Sequence, residues 1–166
     1  MPTIKAFRMD GLGNKFVIVD RRKDFVNITK EQIIHLGNLK SFHRDIGFDQ
    51  IIFIEKEVDK AFPITIFNSD GGEVSACGNG SRCIAYLLGK DLNTKKIKLK
   101  TNNRLLNAKI VGDLDVELAM GKPIFEWDKI PLSKNLDHSN ITLHIKEKTF
   151  TDGFCVNVGN PHICLL

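Results

Sequence analysis

No run of apolar residues in the 166-residue chain approaches the length that crosses a bilayer, and the opening MPTIKAFRMD carries no apolar export core. A cytoplasmic protein without a membrane partner is expected. Charge of one sign is also scarce: the net charge of +4 is spread along the sequence. Its one locally basic run, Thr94 to Lys100, alternates Lys with Ile and Leu as a half-exposed strand does. That argues against a nucleic-acid surface. Cysteine numbers only four, and a chain of this length in a reducing compartment needs no disulfide framework. Five residues separate Cys77 from Cys83, and Cys155, His162 and Cys164 lack zinc-knuckle spacing, so no metal is expected. Cys83, Cys155 and Cys164 lie in apolar runs and are expected in the core.

What is present is ordinary globular material, 42% hydrophobic and 27% charged, enough for one packed domain and short for two. Strands are expected at Thr3 to Arg8 and Phe16 to Asp20, joined by a Gly-rich turn. The segment from Thr29 to Phe42 opens with a capping-box pattern, Thr29 with Gln32, and reads as a helix weakened by Gly37. Strands follow in GFDQIIFIEKE and FPITIFN, then a helix over Gly80 to Leu88 with Gly89 as its stop. A meander of three strands comes next, in KKIKLKT, LLNAKIV and LDVELAM. GKPIFEWDKIPL reads as a crossing segment, and ITLHIK, FCVNVG and the apolar HICLL as further strands.

The most informative stretch is Asn68 to Leu88, NSDGGEVSACGNGSRCIAYLL. A Gly-Asn-Gly entry to a helix offers backbone N–H groups and the positive end of the helix dipole to an anion. The phosphate-loop spacing is absent, and GLGNKF lacks the third glycine of a dinucleotide fingerprint, so a carboxylate is the better match. The same field would stabilise a Cys77 thiolate, making it usable as base or nucleophile. On local pattern alone, Cys77 could equally fill a tight turn, and GNPH at Gly159 could be a plain turn with an exposed His162.

Taken in order, GLGNKFVIVD, GFDQ, NSDGGEVSACGNGSRC and GNPH resemble the diaminopimelate epimerase family over essentially the whole chain. The resemblance implies an α+β fold, a mainly antiparallel or mixed sheet wrapped on a central helix, with an incomplete second lobe. It implies a first lobe over 1–124 carrying Cys77, then a crossing segment and the opening strands of the second lobe over 125–166. The implied activity inverts one α-carbon, LL- to meso-diaminopimelate, without a cofactor, and uses two cysteines on opposite faces of that carbon. By the same resemblance Cys77 is the proton donor, and the backbone of Gly78 and Asn79 holds the reacting end. Asn14, Gln50, Asn68 and Asn160 are substrate-binding amides, and His162 tunes the cysteine. Arg82 and Glu73 are supports.

The sequence departs from the family at Lys15, Ser69 and Arg104, and Cys-Gly occurs once, so the second lobe's cysteine is absent. Family members are about twice this size, and their final strand completes the first lobe. A truncated product, a split gene or an expressed fragment would each give this chain, and pairing is expected either as a homodimer or with a separately encoded second lobe. Another two-lobed isomerase, such as a proline racemase or a phenazine-type enzyme, is the nearest alternative activity. A non-catalytic remnant that binds an amino-acid carboxylate is the alternative without turnover.

Overall fold

The computed structural model describes residues 5–41, 44–45, 47–102 and 104–165. The chain divides into two compact units, Met1–Ala119 and Met120–Leu166.

The first unit begins with a hairpin of β1 (Ala6–Gly11) and β2 (Asn14–Asp20). Its two-residue turn, Leu12 at φ 50° and Gly13 at φ 87°, has both central residues in the left-handed region, as the right-handed twist of the flanking strands demands. Gly11 therefore pairs with Asn14, which fixes Asn14 at the very start of β2. Helix α1 (Lys30–Gly37) follows, with the Thr29–Gln32 capping box formed in both directions. It stops at Gly37, with Asn38 as its C-cap, short of the expected end, because the chain turns there into a strand at Lys40–Ser41; Phe42 lies outside the described residues. The short β3 (Lys40–Ser41) and β4 (Arg44–Asp45) pair with each other.

Strands β5 (Gln50–Ile54), β6 (Phe62–Asn68) and β7 (Glu73–Val74) precede the long helix α2 (Gly78–Leu92), and β8 (Lys96–Lys100), β9 (Leu105–Gly112) and β10 (Asp115–Ala119) close the unit. The sheet runs β1-β2-β5-β6-β8-β9-β10, with β7 on β6. The β2–β5 and β6–β8 pairs are parallel and the rest antiparallel. Each parallel pair needs a crossover, and α1 and α2 occupy the two crossovers.

Burial follows the pleat. Phe16, Ile18, Ile52, Ile54, Ile64 and Ile66 point to the α2 side, while Val17, Val19, Ile51 and Phe53 point to the α1 side. That is why β2 and β5 read as continuous apolar runs. In β8 only Ile97 and Leu99 are buried, and the intervening lysines are exposed, the pattern of a strand covered on one face. Helix α2 lies against β1, β2, β8, β9 and β10, so the fold is α+β with a mixed sheet wrapped on a central helix.

Several boundaries differ from the sequence reading. The first strand runs to Gly11, and its expected start at Thr3 lies outside the described residues. Gly89 does not end α2: it lies inside the helix, where a methyl would meet Ile110 Cδ1 at 2.0 Å, and the stop is Asn93, left-handed at φ 50°. The second unit forms a three-stranded antiparallel sheet of β11 (Ile141–Ile145), β12 (Lys148–Asn157) and β13 (Pro161–Cys164). Ile124 bridges to Asn157, and Ile130, Ile141 and Cys155 form a small core. Cys83 and Cys155 are buried as expected, but Cys164 is exposed, as are all four residues of β13, which the small core does not cover.

Candidate active site

Cys77 is the N-cap of α2, extended at φ −143°, and the Gly80 N–H donates to its Sγ at 3.4 Å. Sulfur takes the place of the Ser, Thr or Asp oxygen that ordinarily fills this position. Gly80 is required there: a methyl would lie 2.6 Å from Ile52 Cδ1 and 3.3 Å from Phe16 Cε1, so the glycine lets the helix start seat directly on β2 and β5. The half-buried thiol thus sits at the strand ends, beside free N–H groups of the first helical turn.

The amides gather at the same edge. Gln50 opens β5 and faces Asn68, the last residue of β6, in the strand register, and Gln50 Nε2 donates to Asn68 Oδ1 at 2.9 Å. The Asn68 turn is closed by its own backbone, with Asn68 N donating to Gly72 O and Gly71 N to Asn68 O. Asn79, two residues after Cys77, donates from Nδ2 to Asn14 Oδ1 at 2.9 Å. Asn14 Nδ2 in turn donates to Asp49 Oδ2 at 3.3 Å.

Asn14–Asn79 and Gln50–Asn68 therefore form a rim of two separately bonded pairs in the first unit, and Cys77 and Gly78 come just before Asn79 at the start of α2. Asn160 and His162 belong to the second unit, at the β12–β13 turn, where His162 Nε2 and Asn160 Oδ1 are 3.0 Å apart. Glu73 is bonded by the Asn102 amide, and Arg82 donates to Asn79 Oδ1. The residue that sequence reasoning passed over is Asp49. Its side chain accepts from Lys15 N at 2.8 Å, its N–H donates to Lys15 O, and its carbonyl accepts from Ser69 N, tying three segments of the rim together. The signal was an acidic residue directly before Gln50.

Burial pushes the Cys83 thiol above its ordinary range, and Cys155 likewise, so neither competes with Cys77 as a chemically available sulfur. A groove of about 480 Å³ lies on the other side of Asn79, against Met9, Cys83 and Val116. Cys77 is not among the residues that line it. No group of His, Cys, Asp and Glu that could hold a metal occurs among the described residues, and no helix there is long and apolar enough to cross a membrane.

The diaminopimelate epimerase family model matches residues 6–126. A diaminopimelate epimerase of Pelagibacter ubique is 46% identical over 96% of this chain, and one of a Wolbachia from Brugia malayi is 36% identical over 94%. The chain spans 58% and 57% of the length of these relatives. Among solved structures, a hydroxyproline epimerase from Agrobacterium vitis superposes with a TM-score of 0.64 over 98% of this chain and 51% of its own, at 11% identity. That likeness concerns the fold alone.

Proposed function

The chain belongs to the diaminopimelate epimerase family, and from that premise we propose that it supplies the Cys77 half of a cofactor-independent epimerase of LL- and meso-diaminopimelate in the cytoplasm. The observation that carries the reading is the place of Cys77 at a helix start, two residues before Asn79, whose amide is bonded to Asn14, with the Gln50–Asn68 pair at the ends of the neighbouring strands.

An amino-acid α-proton is weakly acidic, so the site must stabilise negative charge as the Cα–H bond breaks and its electron pair spreads onto the carboxylate. The N–H groups of Gly78 and Asn79 at the helix start supply oriented donors for that carboxylate, without solvent reorganisation during the reaction. Cys77 gives its S–H proton to the carbanion on one face, and its thiolate recovers a proton from the same face in the reverse direction. Inversion needs a second acid–base group on the opposite face. Cys83 is unsuited to that role, being buried in α2 with its thiol held protonated. In this reading the opposite face is served by a cysteine of a second lobe; Asn160, as a substrate-binding amide, and His162, as the residue that tunes the cysteine, belong to the second unit.

The test is incubation of the protein with LL-diaminopimelate in heavy water, following α-deuterium and LL-to-meso conversion together. Cys77-dependent deuterium incorporation is expected, with retention when one face is served and with inversion when an assembled site serves both. Absence of both exchange and calorimetric binding, or exchange that persists in Cys77→Ala, would overturn the reading. The remnant alternative differs in giving binding without exchange.

A further inference from the structure

Two pairs of amides line the rim, and they differ in what stands at their ends. Asp49 lies at one end of the Asn14–Asn79 pair and Arg82 at the other. A carboxylate only accepts hydrogen bonds and a guanidinium only donates them, whereas a primary amide does both. Asp49 therefore forces Asn14 to turn Nδ2 toward it and Oδ1 toward Asn79. Arg82 forces Asn79 to turn Oδ1 toward the guanidinium and Nδ2 toward Asn14. The two demands agree, giving a head-to-tail relay from Arg82 through Asn79 and Asn14 to Asp49. Each Nδ2 spends one hydrogen in the relay and keeps one.

The Gln50–Asn68 pair has no such pins. Gln50 Nε2 donates to Asn68 Oδ1, and Gln50 Oε1 is buried without a partner among the described residues. No charged partner of this pair is found among the described residues, so reversing both amides preserves the bond.

From this contrast we infer that Asp49 is a positioning residue that, with Arg82 at the far end, fixes the donor polarity of Asn14 and Asn79 and so makes this part of the rim selective for a carboxylate. The ligand, diaminopimelate, comes from the proposed function, but the polarity does not depend on it. Asp49 suits the task because its oxygen is itself held by the Lys15 N–H at 2.8 Å and its backbone is bonded to Lys15 and Ser69. Asp49→Asn keeps the shape and removes the pin.

The experiment uses the whole chain and observes side-chain NH₂ signals by ¹⁵N NMR, assigned with Asn14→Ser and Asn79→Ser. Asp49→Asn is expected to shift the Asn79 signals, although Asn79 does not touch Asp49, and Arg82→Met to shift those of Asn14. Gln50 and Asn68 signals should stay in place. Calorimetry should show diaminopimelate binding weakened about tenfold in Asp49→Asn, the cost of losing a charge-assisted bond, with Asp49→Glu recovering part of it. Neither variant transmitting its effect to the far amide would overturn the relay, and unchanged affinity in Asp49→Asn would overturn its selectivity role. If the unaltered protein neither binds diaminopimelate nor exchanges its α-proton, the proposed function fails, while the NMR response still decides the relay. Should Asp49→Asn not fold, Arg82→Met tests the same coupling from the opposite end.

Discussion

In the first unit a helix lies on the sheet, and Ile52, Ile54, Ile84, Leu88 and Leu99 are wholly buried between them. In the second unit three strands bury Ile130, Ile141 and Cys155, while Ile145, Phe154, Ile163 and Leu165 remain exposed. The two are alike in pairing antiparallel strands that carry apolar residues at alternate positions, Ile97 and Leu99 in β8 and Ile141 and Leu143 in β11. What differs is the covering element. A sheet face removes apolar area from water only where something is laid upon it, and α2 does this for the first unit. The same helix start carries Cys77, so core and chemistry in that unit share one structural cause.

The largest effect should come from breaking the cover. Leu88→Ala removes a fully buried side chain from the middle of α2 and should cost about 3 kcal/mol. Ile141→Ala in the smaller core should cost about 2 kcal/mol at most, since fewer neighbours surround the void. Urea unfolding followed by the amide signals of each unit separately measures both. Equal losses would mean that the units do not differ as their burial implies.

Gly80→Ala sharpens the same comparison at the active end of the helix. Its methyl would push on Ile52 Cδ1, the tip of a side chain that is itself fully buried, so relief comes by lifting the first turn of α2. A cost of about 1–2 kcal/mol is expected, together with faster iodoacetamide labelling of Cys77. Stability loss without a change at Cys77 would show that the helix start stays seated.

Each unit also holds one accessible and one buried thiol: Cys77 with Cys83, and Cys164 with Cys155. Burial raises the pKa of both Cys83 and Cys155, so neither reacts from the closed state. Labelling of the buried pair then reports local opening. Cys155 is slightly the less exposed, 4% against 7% for Cys83, yet its unit has the smaller core. Cys155 should be labelled first by roughly tenfold, a difference of about 1.4 kcal/mol in opening free energy. The reverse order, read by mass mapping, would mean that static burial outweighs unit stability.

Much of this was legible in the sequence. The Thr29–Gln32 box, the alternation of β8 and the apolar runs of β2 and β5 each follow from local chemistry, and the Asn68–Cys83 block carried the family. Three features were not legible, for a common reason. Gly89 has the local character of a helix stop, and only the closeness of Ile110 shows it to be a packing glycine. Cys164 sits in an apolar run, but the small core of its unit leaves all four residues of β13 exposed. Asp49 gained meaning only when β2, β5 and the Asn68 turn were brought together around it. Each depends on a neighbour distant in sequence.

The smallest predicted effect concerns charge. Arg22, at the end of β2, is held by both oxygens of Asp20 at 2.9 and 2.8 Å and by Asp91 of α2 at 2.7 Å, with the Arg22 and Asp20 side chains largely buried. The Arg22 hydrogen bond draws the Asp20 carboxyl below its ordinary range. A folded-state pKa below the unfolded one makes a contribution that is fully present above the unfolded value, about pH 4. It is lost as pH falls through the lower folded value. Asp20→Asn should therefore lower the stability of the first unit by about 0.5–1 kcal/mol near neutrality, and the difference from the parent protein should shrink below pH 4. The second unit offers Lys129 and Glu126, both exposed and 3.4 Å apart. Glu126→Gln should change that unit's stability less than Asp20→Asn changes the first's: the backbone N–H of Glu126 holds its carboxyl below the ordinary range, but water already solvates both groups of the pair. A pH-independent loss in Asp20→Asn would assign the effect to packing around Arg22, and the electrostatic part of the contrast between the units would fall.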